Sequence, residues 1–72
     1  MDVRAEIGAV VAKIAVGVGD TVGAGEALMV LEAMKMEFPV EAPVAATVSA
    51  ILVNEGDMVE EDQILVSLEP TP

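Results

Sequence analysis

Few side chains in this sequence can do chemistry. Its 72 residues include no cysteine and no histidine, which removes disulfide staples, thiolate and imidazole metal sites, and any nucleophile activated by a neighbouring imidazole. Ser49, Ser67 and the threonines therefore lack a histidine base, and no spacing among them marks a substrate pocket. Two lysine amines remain, Lys13 and Lys35. Only Lys35 keeps unusual company: in Leu31-Glu32-Ala33-Met34-Lys35-Met36-Glu37 it stands between two methionines with an acid on either side. That stretch is the candidate functional site, and the rest of the chain is read as its rigid holder. Lys13, with alanine-rich neighbours and no flanking methionine, is an internal control.

The holder is one small domain, residues 1–72, in the size range where burial is least complete. With 54% apolar residues but only one aromatic, Phe38, its core must be built from Val, Ile, Leu, Ala and Met, which favours tightly packed β structure. A net charge of -10 repels phosphate, so nucleic acid and anionic membrane are not expected as partners, and the charge reads as a solvated surface. The apolar run from Ile7 to Gly19 is cut by Lys13, follows the acids Asp2 and Glu6, and is shorter than the ~20 residues a membrane span needs. The expectation is a soluble, unprocessed, cytoplasmic protein, monomeric as an isolated domain. Its lack of cysteine fits a reducing compartment.

The chain is also written twice. Shifted by 37 positions, residues 1–35 lie over residues 38–72 without a gap, and 12 of the 35 pairs are identical, among them Val11/Val48, Ile14/Ile51, Gly19/Gly56, Asp20/Asp57, Leu28/Leu65 and Leu31/Leu68. Chance in such a composition gives roughly a tenth to an eighth, so the match predicts a structural repeat. Each copy holds a two-residue step, Ile14-x-Val16 or Ile51-x-Val53, leading to Gly-Asp, a turn signal. The three-residue step from Val11 to Ile14, repeated from Val48 to Ile51, breaks that period and predicts a β-bulge or strong local twist. Second turns follow at Gly23-Ala24-Gly25 and Glu60-Glu61-Asp62. The latter lacks the ligand spacing of a calcium loop, reads as a solvated turn, and no metal site is expected. Together these features predict an all-β fold, a flattened barrel or sandwich of two four-stranded antiparallel sheets with a pseudo-two-fold axis. That symmetry places the link between the copies, and so Lys35, at the pole opposite the paired termini.

With Leu28 to Ala33 and Glu37 to Glu41 as strands, Met34-Lys35 is a two-residue hairpin loop. Such loops favour positive φ at both central residues, where Asn-Gly is comfortable and Met-Lys is not. A poor turn former at a tight turn suggests that side-chain recognition, not turn propensity, sets the residues here.

At these residues the chain resembles a known family. Glu32-Ala33-Met34-Lys35-Met36 is similar to the attachment motif of biotinyl domains, the biotin carriers of biotin-dependent carboxylases, transcarboxylases and decarboxylases. Ala42-Pro43, both Gly-Asp turns and the spacing from Lys35 to Gly56-Asp57 extend the likeness over nearly the whole chain, and the length with Met36-Glu37-Phe38-Pro39-Val40 resembles small biotin/lipoyl attachment proteins. The resemblance implies a barrel-sandwich hybrid with biotin on Lys35, joined as an amide by biotin protein ligase. A free lysine amine is mostly protonated near neutral pH, so the ligase must assist the attack. The arm would carry carboxyl between a biotin carboxylase and a carboxyltransferase, in an acyl-CoA type carboxylase or a related assembly. By the same resemblance Met34 and Met36 are read by those partners, their flexible side chains suiting several surfaces, with packing on the barrel edge as the plain alternative for Met36. Glu32 and Ala33 belong to the motif, but Glu69 stands in the place of Glu32 in the copy without a lysine, so both acids read mainly as strand ends. Phe38 is expected to pack beneath the hairpin.

Departures from the family pattern are Glu6 for a proline, Ala9 and Ala46 for glycines, and Asp62 for a turn glycine; no thumb-like insertion is present. Asp tolerates positive φ, whereas Ala46 would be strained by about 1 kcal/mol if its backbone needed it. Three rivals stay open. A lipoyl carrier of a 2-oxoacid dehydrogenase or glycine cleavage system would typically read Asp-Lys-Ala at the turn. A hybrid-barrel assembly module would interrupt the hairpin with a long insert. An independent enzyme lacks the groups noted above, and a non-catalytic carrier is expected.

Overall fold

A computed structural model describes residues 1–71; Pro72, which the repeat pairs with Lys35, lies outside the described residues. Eight strands follow in order: β1 Asp2–Arg4, β2 Ala9–Ile14, β3 Thr21–Val22, β4 Ala27–Ala33, β5 Met36–Glu41, β6 Ala46–Ile51, β7 Met58–Val59 and β8 Ile64–Pro70. They form two four-stranded antiparallel sheets, ordered β1-β8-β6-β3 and β5-β4-β2-β7, in agreement with the expected all-β sandwich. Among the described residues no helix is long and apolar enough to cross a membrane.

Each sheet takes strands from both halves, and adding 37 to one sheet's registers gives the other's. Val10↔Glu32, Val11↔Leu31, Lys13↔Val30 and Ile14↔Met29 become Thr47↔Glu69, Val48↔Leu68, Ala50↔Ser67 and Ile51↔Val66. Both ladders slip at the same place, between Val11 and Lys13 and between Val48 and Ala50, so the expected bulge is present twice. An extra residue there returns the inward face to Ile14 and Ile51 after the three-residue step.

The turns repeat as faithfully. Asp20 and Asp57 accept the amides of Gly17 and Asn54, each at 2.8 Å, while Gly19 and Gly56 take φ of 94° and 91°. In the second pair of turns Gly25 has φ 84° and Asp62 φ 70°, so Asp62 does occupy a left-handed position that its short polar side chain tolerates. Ala46 does not. It lies in β6, fully buried, outside the left-handed region, so the feared strain is absent and the small side chain answers to packing. At Gly25 an added Cβ would meet nothing within 4 Å. Gly25→Ala is therefore expected to lower stability by about 1 kcal/mol through φ alone, and Gly25→Asp by less, as read from urea midpoints at constant slope.

Side chains from both halves fill one core in which Leu28 and Leu65, Met29 and Val66, Leu31 and Leu68, and Val11 and Val48 are buried as related pairs. No buried polar or charged residue interrupts it among the described residues. The same topology fixes the ends. Arg4 pairs with Ile64, and six residues later Val10 lies beside Glu32 near the Met34-Lys35 turn. From Ile64, β8 runs away for seven residues, ~20 Å of strand. There Met1 and Leu68 exchange hydrogen bonds of 2.7 and 2.9 Å, at the end of a 37 Å molecule opposite the hairpin.

Candidate functional site

Residues Ala33 and Met36 close the β4–β5 ladder, which leaves Met34 and Lys35 as a two-residue turn. Their φ values are 53° and 65°, both positive as a tight hairpin that matches strand twist requires. Neither residue is at ease there: a left-handed L-residue other than Gly, Asn or Asp costs about 1–2 kcal/mol. The long antiparallel ladder below holds the turn in place, with Glu32↔Glu37, Leu31↔Phe38, Val30↔Pro39 and Met29↔Val40 in register. Leu31 and Met29 anchor it in the core. Met34→Asn is accordingly expected to raise stability by about 0.5–1 kcal/mol in urea unfolding, so Met34 is retained against the preference of the backbone.

The turn projects its side chains into solvent. Met34 is 92% exposed and Met36 60% exposed, and Lys35 is exposed between them. Met36 is thus not packed away on the barrel edge, and both methionines are free to be touched. Lys13 is also exposed, but within β2 opposite Val30, not at a hairpin tip. Glu32 and Glu37 face each other directly across the strands, both exposed, so two like charges sit just under the lysine at a small cost in stability. Ala33 is half-buried and packs on the core. Of the residues singled out in the sequence, Lys35, Met34, Met36, Glu32 and Ala33 all lie at this one end. Glu69 lies on β8 beside Thr47.

Two features escaped the sequence reading. Met58, 82% exposed, pairs with Val10 on the outer face and, with Glu60, lines a depression that also contains Met34. The cue was a methionine directly after Gly56-Asp57, as Thr21 follows the first Gly-Asp. The other is a groove of about 520 Å³ beside β5, walled in part by Phe38. Phe38 lies below the turn, opposite Leu31 as expected, but is only half-buried and is not among the side chains packed on the core.

The family model described as biotin-requiring enzyme, of the biotin/lipoyl type, matches residues 3–68. The chain belongs to the biotin/lipoyl family. It is 47% identical over 64 residues to the biotinylated protein TB7.3 homolog of Mycobacterium leprae, covering 89% of this chain and 90% of that protein. It is 48% identical over 58 residues to the biotin carboxyl carrier protein of acetyl-CoA carboxylase of Haemophilus influenzae, covering 81% of this chain and 37% of that carrier. A solved single-chain, multi-domain long-chain acyl-CoA carboxylase contains the same fold with a TM-score of 0.94 and 33% identity, over 100% of this chain and 7% of that one. The match thus spans nearly all of the first of these relatives, about a third of the second and a small part of the third.

Proposed function

We propose that residues 1–72 are one biotinyl domain, with halves 1–35 and 38–72, and that the protein carries biotin on Lys35. The observation that carries this reading is the strained turn. Met34 and Lys35 hold left-handed backbone that neither favours, and conformational cost persisting in an otherwise regular ladder points to use of the side chains.

The residues fit the group. Lys35 offers a solvated primary amine at a hairpin tip with its neighbours facing outward. Acylation joins Nζ to the carboxyl carbon of an activated biotin as an amide, with loss of the activating group and a proton, and the ligase supplies the base. Once attached, biotin supplies a ring that accepts and yields a carboxyl group. The chain itself holds the tether on a stiff ladder, presents Met34 and Met36 to the ligase and the carboxylase components, and keeps the arm at the pole away from its ends. Tethering raises the local concentration of the ring at a biotin carboxylase and at a carboxyltransferase without a tight complex at either. No turnover belongs to this chain alone; the acceptor substrate is chosen by the carboxyltransferase.

Intact mass tests the reading after coexpression with biotin protein ligase and, in parallel, with a lipoyl ligase. A biotin increment is expected from the first. A lipoyl increment alone would move the domain to 2-oxoacid dehydrogenase or glycine cleavage chemistry, and no increment from either would sink the carrier reading.

A further inference from the structure

We infer that the groove between β1 and β5 is a resting dock for the acylated Lys35 side chain of the same molecule. This rests on the reading of Lys35 as the biotin acceptor. The groove is the open seam of the sandwich on one side: β1 is the edge of one sheet and β5 the edge of the other. Its walls are Arg4 of β1, Ile7 of the following bend, Leu31, and Phe38 and Val40 of β5.

Reach is the first argument. Phe38 lies three residues from Lys35 along β5, ~10 Å at ~3.3 Å per residue. A biotinylated lysine extends about 14 Å from Cα to its ring at standard bond lengths. Folded back along the strand, the arm sets its ring against Phe38 and Val40. A volume of about 520 Å³ is ample for a bicyclic ring with part of its tether.

Chemistry is the second. A ureido ring presents one carbonyl and two N–H groups on an apolar thioether body, so it needs donors, acceptors and an apolar wall together. Arg4 donates one guanidinium N–H to the Asp62 carbonyl at 2.9 Å, which fixes the group at the rim with further donors to spare. Glu6 and Glu41 bring acceptors to the same rim, and the half-exposed Phe38 face suits contact with sulfur. An added β-strand from another chain is a poorer occupant, because Pro39 removes an N–H from the middle of β5. Docking lowers the apparent affinity of the arm for any partner site in proportion to its free fraction.

The test uses fully biotinylated protein, verified by intact mass. Amide NMR shifts between the apo and biotinylated forms are expected at Ile7, Phe38 and Val40 as well as in the hairpin. Shifts confined to residues 33–37 would overturn the dock and leave attachment standing, whereas failure to gain the biotin mass would overturn both. A rate gives the second readout. Streptavidin association should rise at least twofold in Phe38→Ala and Ile7→Ser and stay unchanged in Leu52→Ser, which alters an exposed residue outside the groove. Ile7 is 40% exposed, so Ile7→Ser keeps the test usable if Phe38→Ala loosens the hairpin. Equal rates in all four proteins would overturn the dock.

Discussion

Lys35→Arg is expected to leave a folded domain that accepts no biotin, whereas Lys13→Arg accepts it fully. Arginine keeps the charge and the length of the side chain, and at φ 65° it carries the same backbone cost as lysine, so stability should be nearly unchanged. What it lacks is an amine that can lose its proton and attack an acyl carbon, since a guanidinium stays protonated at any pH the protein meets. Streptavidin gel shift after coexpression with the ligase reads the outcome: complete for wild type and Lys13→Arg, none for Lys35→Arg. The contrast is sharp because both lysines are exposed. Solvent access cannot explain a difference between them, whereas position on the turn between Met34 and Met36 can.

The second large effect concerns the holder. Leu28 and Leu65 are both 0% exposed and stand in related places on β4 and β8. Truncation of either to alanine should cost about 2–5 kcal/mol, from lost transfer energy and the cavity left behind. A domain of 72 residues has about 4–11 kcal/mol in total at ordinary stability per residue, so each variant approaches the point of unfolding. Because the two sites stand in related, equally buried places under the 37-residue shift, their losses should agree within about 1 kcal/mol. Leu52→Ala, at a residue 54% exposed, should change little. Urea unfolding followed by far-UV circular dichroism measures all three. Widely unequal losses at Leu28 and Leu65 would show that the two halves do not share the load.

Much of this architecture was legible because a β domain repeats its rules in its residues. The step from Val11 to Ile14 disclosed the bulge, since a strand with one buried face cannot change phase without an extra residue. The ungapped match at 37 residues disclosed the repeat, and its Gly-Asp turns recur because a side-chain acceptor and a left-handed glycine are both needed there. Met34-Lys35 disclosed the hairpin through its length alone. Ala46 stayed open for a physical reason: a small residue can serve positive φ or tight packing, and only the backbone angle separates the two. The groove was beyond reach, because it lies where β1 and β5 border different sheets. Arg4 and Phe38 both line it, 34 positions apart in sequence with no ladder between their strands. Phe38 read as a packing residue because an aromatic near a turn usually is one, and nothing in its neighbours shows that its face stays partly open.

The central claim is that one amine, at one turn, is the acceptor. Digestion of the ligase-coexpressed protein after glutamate separates the candidates: Met1–Glu6 carries the terminal amine, residues 7–26 carry Lys13, and residues 33–37 carry Lys35. Peptide mass should place the entire biotin increment on Ala33-Met34-Lys35-Met36-Glu37 and leave the other two fragments at their unmodified masses. Biotin on the fragment holding Lys13, or shared among fragments, would contradict the account.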